Sequence, residues 1–389
     1  MQRNVISRFI LGFATLFLLS GCDTANPPWE NLDMPSYPPK AESTALPAPS
    51  GVMPQTPVTT GSKNKVALLL PMTGRGSDAG QAMLNAAQLA MFDLGADTFE
   101  LMPQDTGASP TAAREAANIA LRDGAALVLG PLFAEDAKTV APIAAQSGVN
   151  VISFSTDTSA AGPNTFILGF LPQSQVARII DYAGQKALKR IALIAPRDAY
   201  GETVASVFDK TLRQRGLTNA GVLRYNANQP SADELRQFAA TNSFDAVLIA
   251  ANAAQASVIS QNLPANIQRL GTGLWEQATA AQYPGLANAW YATSSPAGRK
   301  KFETHYNSTY GEMPPRLASL AYDAVALAVV LAKQGHGFGK SALLNQSGFS
   351  GVDGIFRFQP DGLNERGLAV LQITQGSAII VQEAPSSFR

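Results

Sequence analysis

The chain has 389 residues, 29 basic against 29 acidic side chains, and 46% hydrophobic residues. Balanced charge gives no reason to expect nucleic acid or an anionic lipid surface as a partner, while length and apolar content allow two domains with large cores. The single cysteine, Cys22, permits no internal disulfide, and the two histidines, His305 and His336, lie in no carboxylate cluster at metal-ligand spacing, which argues against a zinc centre or a His-based catalytic site.

Arg3 and Arg8 precede an apolar run from Phe9 to Leu18, followed by Leu19-Ser20-Gly21-Cys22. This order resembles a bacterial secretory signal ending in a lipobox. The run is too short to span a bilayer permanently, and small residues precede the cut site. The resemblance implies a signal peptide over residues 1–21 and lipidation of Cys22, which would be the only membrane attachment of a periplasm-facing protein. Asp23 resembles an inner-membrane retention signal of enteric bacteria, a rule that does not carry over to every lineage, so inner and outer membrane both stay open. Residues 22–63 contain nine prolines between Pro27 and Pro57 and no apolar periodicity. Such a segment cannot bury enough surface to fold alone, and as an extended tether it reaches on the order of 100 Å.

From Val66 the pattern changes to alternating strands and helices. Val66–Leu70 reads as a buried parallel strand and Gly80–Leu94 as a helix with Met83, Ala87, Ala90 and Leu94 on one face. Phe99–Met102 is a strand. Ser109-Pro110 opens a helix that Gly124 closes, and Ala126–Leu129, Glu135–Ala145 and Val149–Phe154 continue as strand, helix, strand. The rhythm restarts after Gln185: Arg190–Ile194, Glu202–Arg215, Val222–Tyr225, Ala232–Ala240, Ala246–Ile249, Ala253–Asn262 and Gln268–Gly271. Gly298–Tyr310 and Pro315–Lys333 are long helices, and Gly354–Phe358 and Leu368–Val381 are β-like. Runs of this kind make parallel sheets with helices on both faces, here an α/β chain with two doubly wound lobes.

Several short segments keep a recognisable order: Leu70-Pro71-Met72-Thr73-Gly74, Gly130-Pro131-Leu132-Phe133, Val151-Ile152-Ser153-Phe154-Ser155-Thr156-Asp157, Tyr200-Gly201, Tyr322-Asp323-Ala324, and Phe349, Gly351, Gly354, Phe358 and Asp361-Gly362. Together they resemble the type I periplasmic binding proteins of the leucine/isoleucine/valine-receptor group, from about Lys63 onward. Gly130–Glu135, Phe154-Ser155 and Gly169-Phe170-Leu171-Pro172 look most like the penicillin-binding protein activator lipoproteins of the LppC type, which stimulate peptidoglycan synthases. Where the best-known activators carry a helical-repeat domain, this chain has the Pro-rich tether. The implied fold has lobe 1 over residues 64–168 plus 297–350 and lobe 2 over residues 169–296 plus 351–389. Three crossovers, near Phe166–Leu171, Ala292–Pro296 and Gly351–Phe358, would act as hinges beside a cleft at the strand carboxyl ends.

Cleft candidates follow from that fold. Thr73 and Gly74 lie behind the first strand, where Gly74 to Gly80 has GxGxxxG spacing, not the dinucleotide fingerprint; a cleft-lining loop is the expectation, and no cofactor is implied. Ser155, Thr156 and Asp157 either bind a ligand or cap turns, and Tyr200 would close over a ligand from lobe 2. At Phe133-Ala134 the receptors often carry serine at a helix start to hold a carboxylate; here Ala134, Glu135 and Asp136 put negative charge at that helix end. Trp275 and Glu276 are further cleft-facing candidates, the indole either stacking on a ligand or filling the lobe edge. His305, among Lys300, Lys301 and Glu303, reads as a solvated residue. No nucleophile–base pair stands out, so the expectation is a non-enzymatic protein. Its partner would be a peptidoglycan synthase or, for a solute receptor of amino acids or related small molecules, an ABC permease.

Overall fold

The computed structural model describes residues 64–95, 99–107, 109–226 and 229–388. The expected signal peptide, Cys22 and the tether lie outside the described residues.

The apolar runs of the first lobe alternate between two faces. β1 (Asn64–Leu70) sends Val66, Leu68 and Leu70 to one side and Ala67 and Leu69 to the other, all fully buried. Both faces therefore need cover. α1 (Ser77–Asp93) covers the first with Met83, Ala87 and Ala90. With β2 (Phe99–Asp105), α2 (Pro110–Arg122), β3 (Ala125–Leu129), α3 (Ala134–Gln146), β4 (Asn150–Ser153) and β5 (Thr165–Ile167), the chain completes a parallel sheet of order β2-β1-β3-β4-β5. Small residues of α2 and α3 (Ala113, Ala117, Val140 and Ala144) cover the second face. α2 starts as its sequence dictates, with Pro110 at the first helical position and Ser109 Oγ accepting the Ala112 amide at 3.3 Å.

After residues 168–171 the chain enters the second sheet through α4 (Pro172–Gln185), whose Val176, Ile179, Ile180 and Ala183 pack on Ile191 and Leu193. There follow β6 (Arg190–Pro196), α5 (Ala199–Arg215), β7 (Thr218–Tyr225), α6 (Ala232–Thr241), β8 (Ala246–Ile249), α7 (Ala253–Gln261), β9 (Gln268–Gly271) and β10 (Trp290–Thr293). Their parallel order, β7-β6-β8-β9-β10, repeats the winding of the first sheet. This is the two-lobed, doubly wound α/β architecture expected from the sequence.

α8 (Pro296–Tyr310) and α9 (Ala318–Lys333) return to the first lobe. Phe302 and Tyr306 pack on Ala82 and Ala86 of α1, and α9 is buried along most of its length, with Leu320, Ala324, Val325 and Ala328 in the first core. β11 (Phe349–Gly351), β12 (Gly354–Phe358) and β13 (Asn364–Arg366) form a small antiparallel sheet. Phe349, Phe356 and Phe358 sink into the first core. Gly351–Phe358, expected to cross to lobe 2, therefore packs with lobe 1, because its rings are needed there. The chain reaches the second sheet only at Leu368, where β14 (Ala369–Ile373) pairs antiparallel with β10 and β15 (Ala378–Gln382) forms the edge.

Candidate functional site

In the first lobe the loops at the strand carboxyl ends are organised by a residue the sequence did not single out. Asp105, last in β2, accepts the Met72 and Gly107 amides at 2.8 and 2.7 Å through Oδ1 and the Thr73 hydroxyl at 2.6 Å through Oδ2. Burial alone would raise its carboxyl, but the Thr73 hydroxyl and the amides of Gly107, Met72 and Thr73 outweigh it and hold the pKa below the usual value. Thr73 and Gly74 are exposed, and Arg75 lies over the Phe133 ring at 5.1 Å. The glycine spacing has a packing cause. A Cβ on Gly80 would run into the Pro71 carbonyl oxygen, and one on Gly201 into that of Pro196, so in each lobe the helix starts against the preceding strand end.

Ala134 is the first residue of α3, and no side chain caps that helix. Glu135 is exposed and paired with Lys138 at 3.2 Å. Asp136 is only 3% exposed, and burial, followed by the Glu135 charge, raises its carboxyl. Of the two carboxylates expected before the helix end, only Glu135 stands in solvent. Ser155 is buried and its Oγ accepts the Asp157 amide at 3.0 Å. Asp157 caps the turn Thr158–Ala160 through Ser159, whose amide and hydroxyl donate at 2.9 and 2.6 Å, and these bonds lower its pKa. Both side chains thus perform the capping role, while Thr156 is exposed.

In the second lobe, Tyr200 hydrogen-bonds Thr272 Oγ1 at 2.9 Å, and burial, opposed by that bond, pushes its hydroxyl up to about 12. Asp198 caps α5 through the Gly201 amide at 2.7 Å, and Asn252 caps α7 through the Gln255 amide at 3.0 Å. With Pro196, Tyr225 and Leu274 these groups line a depression of about 290 Å³. Trp275 takes no part in it. The indole is fully buried, Nε1 donates to Ala251 O at 2.9 Å, and the missing side chain of Gly271 makes room for the ring. The cleft-facing expectation for Trp275 is corrected by burial. Nor does Glu276 face the depression: it binds Thr293, Arg299 and Arg316 between the lobes, with Arg316 Nε at 2.9 Å. His305 is likewise not simply solvated, since Nε2 lies 2.9 Å from Asp93 Oδ1. Among the described residues no group of three or more His, Cys, Asp or Glu is placed to hold a metal ion.

Residues 63–378 match a family model described as "Periplasmic binding protein". The chain belongs to that family. This periplasmic binding protein has partial likeness both to a penicillin-binding protein activator and to a Leu/Ile/Val-binding protein. It is 27% identical over 185 residues to the penicillin-binding protein activator LpoA of Mannheimia succiniciproducens, covering 46% of this chain and 31% of that one. It is 25% identical over 168 residues to the Leu/Ile/Val-binding protein BraC3 of Rhizobium johnstonii, covering 39% and 45%. The matches thus span less than half the length of either relative. An ABC transporter substrate-binding protein from Sphaerobacter thermophilus superposes with a TM-score of 0.66 at 18% identity, over 83% of this chain and 97% of that one, a likeness of fold.

Proposed function

We propose that this chain is a lipid-anchored, periplasm-facing regulator that docks on a peptidoglycan synthase and activates it, with no reaction of its own. The observation that carries the reading is the state of the polar groups on the strand-end loops of the first lobe. Thr73, Ser155 and Asp157 are engaged by Asp105, by the Asp157 amide and by the Ser159 turn, and Glu135 stands exposed where a carboxylate ligand needs bare amides. The partial likeness to a penicillin-binding protein activator is in accord. Cys22 would supply attachment and residues 23–63 the reach.

One observation favours a second reading, the solute-binding lipoprotein of an ABC importer for amino acids or related small molecules. The second-lobe depression offers Tyr200, Tyr225 and Asn252 to a small ligand. Thermal unfolding against a panel of amino acids and muropeptides separates the two, since a receptor gains stability with ligand by mass action. The regulator reading expects no shift with the panel and a faster synthase when the protein is reconstituted with it in vesicles. Calorimetry of Ala134→Ser with Glu135→Ala adds a check on the cradle, leaving the buried Asp136 alone. Tight binding of leucine, alanine or glutamate by the unaltered protein would promote the import reading.

A further inference from the structure

The three passages between the lobes meet at one cluster of charged side chains. In the first passage, two guanidinium groups approach the Phe170 ring, Arg316 at 3.7 Å and Arg366 at 5.0 Å from its centre. Arg366 Nη2 donates to Leu168 O at 2.8 Å, and Asn364 Nδ2 donates to the carbonyls of Ile167 and Gly169, each at 2.8 Å. In the second passage, Thr293 binds Glu276 and Ser294 Oγ accepts from Arg316 at 3.4 Å. The third passage begins with Arg366 itself.

Glu276 belongs to the second lobe, following the buried Trp275, whereas Arg299 in α8 and Arg316 before α9 belong to the first. Its carboxylate takes both cations. Arg316 also holds Asp353, with Nη1 to Oδ2 at 3.0 Å and Nη2 to Oδ1 at 2.8 Å, and Ser319 Oγ donates to the same carboxylate at 2.6 Å. Arg299 completes the set through Glu303 at 2.8 Å. Asp353 is fully buried, and the side chains of Glu276 and Arg299 are 17% and 15% exposed. Asp323, within electrostatic reach of Asp353 and Arg366, adds a fourth acid to Glu276, Glu303 and Asp353 around Arg299, Arg316 and Arg366.

Hinge bending requires changes in backbone dihedrals within these passages. Here each passage is pinned by a largely buried side chain, and separating one partner from a buried pair leaves an uncompensated charge. We propose that the Glu276–Arg316–Asp353 cluster is a clamp that holds the two lobes at one angle whether or not the cleft is filled. The clamp goes beyond the choice of partner: it concerns the hinge itself, and it makes the lobes a rigid platform instead of a closing trap.

The test measures the inter-lobe distance directly. The mature full-length chain with Cys22→Ser has no cysteine, so spin labels on Asn118→Cys in α2 and Ser206→Cys in α5, both exposed, report one distance by pulsed electron paramagnetic resonance. The clamp predicts one narrow distribution that leucine at saturating concentration leaves in place. Glu276→Gln, which keeps the shape and removes the charge, and Arg316→Met should each broaden it and add a longer component. A second population in the unaltered chain, a shift with leucine, or a Glu276→Gln distribution superimposable on the parent would overturn the proposal. Glu276→Gln decides the matter alone if Arg316→Met does not fold.

Discussion

Asp323 of α9 is fully buried beside Asp353, and a Cβ on Gly351 would collide with its carboxyl. Burial first, and then the Asp353 charge, raises its pKa from the ordinary value to about 7. An acid raised on folding costs nothing below its unfolded pKa of about 4, and the cost grows as pH rises until the group is ionised in the folded state too. Asp353, held low mainly by Arg316 against the burial effect, works in the opposite sense and loses its contribution only in acid. Asp323→Asn keeps an oxygen for the Val352 amide, which donates at 2.7 Å, and removes the charge. Its melting temperature should exceed that of the parent at pH 8 and approach it at pH 5; an equal difference at both would assign the effect to packing. Tyr200→Phe removes the bond to Thr272 and should cost about 0.5–1.5 kcal/mol in urea unfolding. An unchanged midpoint would mean that Thr272 finds another partner.

Among the elements, legibility followed burial pattern. β1, β3, β6 and β8 announce themselves as continuous apolar runs because both faces of a parallel strand are covered. α4 carries Val176, Ile179, Ile180 and Ala183 at helical spacing behind Pro172, a local signal of the same kind. β10 and β13 were harder, being short segments that become strands only when partners pair with them. The contact between helix start and strand end yields a direct test at this scale. Gly80→Ala should destabilise by about 1–3 kcal/mol through overpacking on Pro71, and Gly201→Ala should do the same on Pro196, measured by chemical denaturation. Loss of less than the cost of an exposed substitution at both positions would show that the strand ends yield easily.

For the molecule as a whole, anchor and fold should separate. If Cys22 is lipidated as proposed, Cys22→Ser should move the protein from the membrane to the soluble fraction without changing its melting temperature, because position 22 precedes the first core strand by more than forty residues in sequence. Sedimentation with membranes after a high-salt wash would count against lipidation. Deleting most of residues 23–63 should likewise leave thermal unfolding unchanged; if the chain acts as the proposed regulator, it should also weaken synthase activation in cells through lost reach. A large drop in melting temperature would show that this segment packs on the lobes.

The sequence by itself determined the two doubly wound lobes and the apolar runs of their cores, because hydrophobic periodicity and helix-start chemistry act over a few residues and leave a local trace. It also marked the strand-end loops, though not which of their polar groups are occupied: Asp105 and the withdrawn Asp136 are indistinguishable in sequence from solvated acids. Only the tertiary structure decided the hinge. Glu276, Arg299, Arg316, Asp353 and Arg366 are scattered over 91 positions; Glu276 reads as a cleft-facing acid and the other four as ordinary surface charges. They become one cluster because three chain passages converge there and cover most of each side chain, and no pattern along the chain encodes that convergence.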